Sequence, residues 1–501
     1  MASRTPRSLQ CNRGGATCEH ARHRRRTGEP SRGGRDRAAA RGRSCARRGH
    51  GVRCVLSVRR RDRRCGGRRH HRGGAAWRFA PRQRCDRDRE SKRDGDAVHR
   101  ASSLPKVGSV EETLVDRIRA EIGERGPISF ARFMERALTE PDLGYYMGPR
   151  ARAGRDGDFI TAPEMHGILG SALARLIAQT WERLDRPEPF RYTEYGAGSG
   201  ALVCAIVDQL VRDTSPLLEA LEIQPIEINA HRREELTAAL RARALRRPMN
   251  IVPVDATPIA GVVVANEYLD ALPFHIFVGR AATAHGLAER RVGVNAHGAL
   301  EWVEAPLNES EAERVRQRFG APLAEGQRAE ACFAADAWPR ELTQRISHGL
   351  AVVIDYGREG AELRDPTIRA AGTALAYQGH RATDNLLADP GGRDLTAHVD
   401  LTALRAAATA SGLTPIASTS QAALIAGAGL DDEIERIRRG PEATLEGAIA
   451  LRSALARLMN PRSLGGFAVE LFALGSVEHV SRLSDASNPL PGAAAPIRPL
   501  V

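Results

Sequence analysis

The stretch "GVVVANEYLDALPFHIF" runs an apolar segment into Asn266 and Glu267, and Asp270 and Pro273 follow within one turn. Two carboxylates three residues apart at the end of a strand can be helix N-terminal acids favoured by the dipole. They can also grip a planar cation. A guanidinium stays protonated at neutral pH, and carboxylates hold it through charge-assisted hydrogen bonds of about 1.5–3 kcal/mol each. Two gripped nitrogens draw positive charge toward that side and leave the third better placed to attack an electrophile. Glu267 and Asp270 have the residue types and spacing for that task.

A second stretch, "FRYTEYGAGSGALVCAIVDQL", sets Gly196, Gly198 and Gly200 between an apolar run and a helical one. Such glycines let the backbone turn tightly beside a ligand, at the strand-to-helix turn where open parallel sheets bind theirs. The letters satisfy two patterns. Gly196-x-Gly198-x-x-Ala201 fits a dinucleotide, and Glu194-x-Gly196-x-Gly198-x-Gly200 fits S-adenosylmethionine. A glycine turn can also be purely structural. The carboxylate before the first glycine suits the ammonium of a methionine moiety and would repel a pyrophosphate. Glu227, which closes the next strand, could accept both ribose hydroxyls or be a solvated strand-end acid. The turn "GRDGDFITAPE", with Gly157, Asp158 and Thr161, is an ordinary Asx-type turn by itself. Beside the other two stretches it supports a bound ligand.

These residues need elements to hold them. Segments at 191–195, 223–228, 251–254, 262–265 and 350–355 read as strands, the second more polar than a usual buried strand, and 201–212 and 232–243 as helices. Strands alternating with helices predict an α/β fold with a parallel, doubly wound sheet. Ahead of it lies a helical region in which Leu114, Ile118 and Ile122 share a face and Ser129 caps a second helix. An insertion over about 279–348 carries a β-hairpin turning at His297-Gly298, then a polar helix. "GGFAVELFALG" reads as a late strand, and "DLTAHVD" could be a helix cap. The domain division expected is 1–106, 107–188, 189–480 and a tail over 481–501.

With those residues in view, the chain resembles the MidA-type family of class I S-adenosylmethionine-dependent methyltransferases, which includes a mitochondrial complex I assembly-factor arginine methyltransferase. The resemblance spans about 126–475 and rests on "GPISFARFMERALTEPDLGYY", "GDFITAPEM", "EYGAGSGAL", "ANEYLDALPFHIF", "VVIDYG", "GTALAYQGHR" and "GRDLTAHVDLTAL". It implies a Rossmann-like methyltransferase sheet and a donor pocket using Gly157, Asp158, Thr161, Glu194, Gly196, Gly198, Gly200 and Glu227. It also implies that Asn266, Glu267 and Asp270 lie by the reacting centre, with His380, Asp394, Thr396 and His398 on the substrate side and no metal. Asn229, Arg232, Leu236 and His166 depart from the family's usual residues. The expected activity is methyl transfer from S-adenosylmethionine to a protein arginine. The rivals are a donor-binding assembly protein without catalysis and an NAD-linked oxidoreductase.

Charge divides the chain sharply. The net charge is +13, yet the first hundred residues hold 31 Lys and Arg against 9 Asp and Glu, so the remainder carries a net −9. An acidic body suits a cationic partner. The leader, dense in Arg and Gly, cannot bury enough surface to offset chain entropy and is expected to be disordered. An RGG-like nucleic-acid tail and a transit peptide are both weighed for it. The favoured reading is out-of-frame sequence ahead of a true start near Val107 or Val110, because Lys occurs at only two positions and the gene must be GC-rich. Six of the eight cysteines sit in that leader, which leaves Cys204 and Cys332 and fits a reducing compartment. No apolar run reaches the ~18 residues of a membrane span. The body reads as a cytoplasmic bacterial protein, or a mitochondrial matrix protein if the source is eukaryotic, with no membrane partner and no nucleic acid except through the leader.

Overall fold

The computed structural model describes residues 112–148, 161–244, 249–255, 257–485, 487–491 and 493. The leader, and with it the proposed start, lies outside the described residues, as do Gly157 and Asp158.

A seven-stranded sheet organises the chain. Its strands are β1 (Phe190–Tyr195), β2 (Leu221–Ile226), β3 (Asn250–Ile251), β4 (Ile259–Asn266), β5 (Ile346–Asp355), β6 (Thr414–Ser420) and β7 (Ala468–Leu474). They lie in the order β3-β2-β1-β4-β5-β7-β6, and β7 alone runs antiparallel to its neighbours. Successive side chains of a strand point to opposite faces, and β4 shows why its run is unbroken. Val262 and Val264 pack with the helices Ile168–Arg183 and Ala201–Arg212 on one face. Val263 and Ala265 pack with Trp338 and Leu342 of the helix Phe333–Arg345 and Leu404 of the helix Leu401–Ala410 on the other. A strand covered on both faces reads as a continuous apolar run.

The differences from the sequence reading are local. The second strand ends at Ile226, not Ile228, because the Glu227 carboxylate accepts the N–H groups of Gly198 and Asn229, both at 2.8 Å, and turns the chain. The third pairs only over Asn250–Ile251. Pro253 has no N–H for a ladder, and Val254 is exposed at the sheet edge. The strand β6, "TPIASTS", carries no apolar alternation, which is why it went unread.

The predicted hairpin forms from Leu287–Val294 and Leu300–Pro306, with Gly298 at φ +78° in its turn. It belongs to a five-stranded antiparallel sheet that also takes His275–Gly279, Arg328–Ala331 and, from the N-terminal region, Ile128–Ser129. Ser129 then caps the helix Phe130–Thr139 by accepting from the Arg132 N–H at 3.2 Å. Phe130 and Phe133 from that helix join Phe274 and Leu395 in a second core, so the N-terminal helices, the insertion and the late loop are packed together. The late loop folds as three short strands, Leu375–Gln378, Arg381–Thr383 and Asp394–Thr396. Asp400, the last residue of "DLTAHVD", caps the helix after it as that reading allowed, accepting from Ala403 N at 3.0 Å. Among the described residues no helix is long and apolar enough to cross a membrane.

Candidate functional site

A cleft of about 250 Å³ opens at the carboxyl ends of β1, β2 and β4. Its floor is the glycine turn. Gly196, Gly198 and Gly200 have φ of +66°, +54° and +84°, a region that disfavours side chains. Ala197 N–H donates to Ile226 O at 3.1 Å and ties the turn to β2. A Cβ on Gly198 would meet nothing within 4 Å, so this backbone faces open space in the cleft, whereas one on Gly196 would press on the Tyr268 ring at 3.1 Å. Leu236 fills the space beneath Gly200.

Acids line this cleft. Glu194 is buried and accepts the Tyr192 hydroxyl at 2.7 Å. Burial pushes its carboxyl up to about 8, and the charge of Glu227 adds to that. Thr161 and Glu164 line the opposite wall from the single helical turn Ala162–Met165, and burial also raises Glu164. Asn229 ties this wall to β2. Its side-chain amide donates to the carbonyls of Tyr146, at 2.6 Å, and Gly148, at 3.1 Å, which enter the segment before Thr161.

At the end of β4 the chain reverses abruptly. Glu267 takes φ +51°, rare for a residue with a side chain, and its N–H donates to Ile354 O at 2.8 Å. Asn266 and Glu267 line the cleft. One Glu267 oxygen accepts from Ala162 N and from the Asn266 amide, both at 3.3 Å. Burial pushes Glu267 up to about 8, with the charge of Asp270 the next cause. Asn266 Oδ1 is buried and has no hydrogen-bond partner among the described residues.

Asp270 does not line the cleft. It lines a separate interior cavity together with His398. It accepts the Tyr356 hydroxyl, which also meets the Thr396 hydroxyl. Burial raises Asp270 to about 6, against the pull of that phenol. Asp355 shapes the turn from below by accepting the N–H groups of Leu269, Asp270 and Tyr356 at 3.0, 3.2 and 2.9 Å.

The late-loop residues divide. Asp394 accepts the Tyr146 hydroxyl at 2.7 Å, and Tyr146 lines the cleft, so Asp394 reaches the site through that ring. Thr396 reaches it through Tyr356. His398 packs edge-on against Tyr356 at 5.5 Å. His380 is exposed on a hairpin turn at φ +61° and lines neither cavity. The structure adds Tyr146, Asp355 and Tyr356, which sequence reasoning did not single out, and gives a role to Asn229, which it named only as a departure from the family's usual residue. A usable signal existed for two of them, since "VVIDYG" puts Asp355 and Tyr356 directly after a wholly apolar strand.

The donor set discriminates between ligands. A buried Glu194, a half-buried Glu267 and an unpartnered Asn266 carbonyl oxygen fit a ligand with an ammonium and a cationic sulfur, whose approach favours the charged form of each acid. Comparison with known proteins agrees. Residues 172–419 match the family described as "Putative S-adenosyl-L-methionine-dependent methyltransferase". A Burkholderia thailandensis protein solved bound to S-adenosyl-homocysteine is 32% identical, with a TM-score of 0.63 over 74% of this chain and 94% of that one. "Protein arginine methyltransferase NDUFAF7, mitochondrial" of Mus musculus is 29% identical over 69% of this chain and 80% of its own length. Its Homo sapiens counterpart is 30% identical over 57% and 66%.

Proposed function

The chain belongs to the family of S-adenosyl-L-methionine-dependent methyltransferases, and from that premise we propose that its acceptor is an arginine side chain of a protein. The observation that carries this reading is the lining at the end of β4, where Glu267 and Asn266 border the same cleft as the glycine turn and the buried Asn266 Oδ1 has no partner among the described residues. The names of the mouse and human relatives point the same way. The donor, when bound, supplies a methyl group on a sulfonium, which needs no covalent help from the protein.

The protein's tasks are then alignment and a reactive lone pair. In this reading Gly196, Gly198 and Gly200 admit the donor close to the backbone, Glu194 receives its ammonium, and Glu227 stands at the ribose with Thr161 on the facing wall. Gly157 and Asp158, outside the described residues, remain part of the donor-binding proposal on the family resemblance alone. Glu267 holds the acceptor guanidinium, and Asn266 Oδ1 accepts one of its N–H groups. Burial holds a proton on Glu267 in the ligand-free protein, and an arriving cation expels it. Asp270, turned away from the cleft, acts behind Glu267, while Asp394 and Thr396 hold Tyr146 and Tyr356. His398 sits on the inner side of Tyr356, and His380 has the weakest place in the scheme. The domain division at 188/189 belongs to the same proposal, as does a cytoplasmic or mitochondrial matrix location; the curated relatives named above carry "mitochondrial" in their names.

Labelled S-adenosylmethionine incubated with host lysate, wild type against Glu267→Gln, tests the reading. Label on arginine that disappears in the variant supports it. Label on another residue type, or the same labelling from both proteins, overturns it.

A further inference from the structure

We propose that the Tyr268 ring biases the cleft toward the charged donor over its neutral product, by facing the sulfonium of S-adenosylmethionine. This rests on the donor placement given above and adds a specificity-determining residue to it.

Tyr268 owes its position to the reversal at the end of β4. Glu267 at φ +51° turns the chain, and the next side chain comes down on the glycine turn. A Cβ on Gly196 would stand 3.1 Å from Cδ2 of the Tyr268 ring, so ring and turn meet because Gly196 carries no side chain. Tyr268 lines the same cleft as Glu194, Gly196 and Glu227. Behind it lie the buried rings of Tyr195 and Trp338, with centroids 5.4 and 6.4 Å away. A half-buried ring backed by close-packed aromatics is held in place before any ligand arrives.

The connectivity of the donor decides which of its atoms meets that ring. Its sulfur is bonded to the methionine chain on one side and to the ribose on the other. With the ammonium at Glu194 and the ribose at Glu227, the sulfur lies between the two acids. Gly196 occupies that interval of the turn, since it follows Glu194 by two residues and Gly198 N–H holds the Glu227 carboxylate at 2.8 Å. The ring packed against Gly196 is that of Tyr268. A cation within about 6 Å of an aromatic face is drawn to its electron-rich centre, and a neutral thioether lacks that attraction. Once the methyl group has left, its bond pair stays on sulfur and the charge is gone. The carboxylates of the cleft also favour the sulfonium, so the ring supplies one separable part of the preference.

Calorimetry on the full chain with S-adenosylmethionine and with S-adenosylhomocysteine isolates that part. The quantity read is the product Kd divided by the donor Kd. Tyr268→Phe keeps the ring and should leave the ratio within about twofold of the wild type, whereas Tyr268→Leu should lower it by about three- to thirtyfold. A site that has merely loosened loses both ligands alike, so an unmoved ratio in Tyr268→Leu overturns the proposal. A tetrafluorinated phenylalanine introduced at position 268 covers the case in which the leucine variant does not fold. It keeps the ring's shape and withdraws charge from its face, so its ratio should fall below that of Tyr268→Phe, and equal ratios overturn the proposal. Gly198→Val separates this from the donor placement. Normal donor affinity in that variant overturns the placement and the proposal together, while lost affinity there with an unmoved ratio in Tyr268→Leu overturns the proposal alone.

Discussion

In the proposed site the donor and acceptor halves are built in opposite ways. The donor half is largely backbone: three glycines at positive φ, one strand-end acid and a helix that begins at Ala201, most of it within a single turn of chain. The acceptor half is side chains drawn from the end of β4, the end of β5, the loop at Tyr146 and the late strand Asp394–Thr396. A backbone pocket tolerates change poorly at its glycines. In the proposed side-chain network one acid, Glu267, lines the cleft and its buried neighbours tune it.

The largest effect should come from the donor half. Gly198→Val puts a branched side chain at φ +54° into the open floor, and calorimetry should show donor affinity falling by about 100-fold or more, or roughly 3 kcal/mol. Normal affinity would show that the donor lies elsewhere. Next, Glu267→Gln should lower kcat by about 100-fold while donor affinity changes little, since loss of a gripping charge costs roughly 1.5–3 kcal/mol. A comparable loss of donor binding would erase the division between the halves.

Tyr146→Phe removes one hydrogen bond to a buried Asp394. It should cost kcat/KM about three- to tenfold, in line with roughly 1 kcal/mol for such a bond. His380→Ala should leave the rate unchanged, and a loss above twofold would bring that exposed turn into the site.

Stability offers a pH test of the same contrast. The folded pKa of Glu267, about 8, lies above its ordinary carboxylate value. Folding therefore favours the protonated form. That contribution is complete below the ordinary value and is lost as pH rises through about 8. Glu267→Gln should melt above the wild type at pH 8, with the gap closing toward pH 4. A gap that is constant with pH would mean that Glu267 is not held in the protonated form.

Much of this was legible because of period and spacing. The β4 run from Ala260 to Ala265 announces a strand covered on both faces, and three glycines behind Glu194 announce a turn beside a ligand. The ranking of the two acids was not legible. Residues 267 and 270 differ by three positions, and only the left-handed φ at Glu267 decides that one faces the cleft and the other an interior cavity. The roles of Tyr146 and Asn229 were not legible for a related reason, since a loop tyrosine and an asparagine gain meaning only when the Asn229 amide clasps the Tyr146 carbonyl across 83 residues of chain.

The sequence by itself therefore determined the alternation of strands and helices in the chain's core, the glycine turn and the acids available, because local periodicity and backbone freedom are written in neighbouring residues. Only the tertiary structure decided which acid meets the cleft and which partners raise or lower its charge. Burial and hydrogen bonding come from segments far apart in the chain, and their placement is a property of the packed fold.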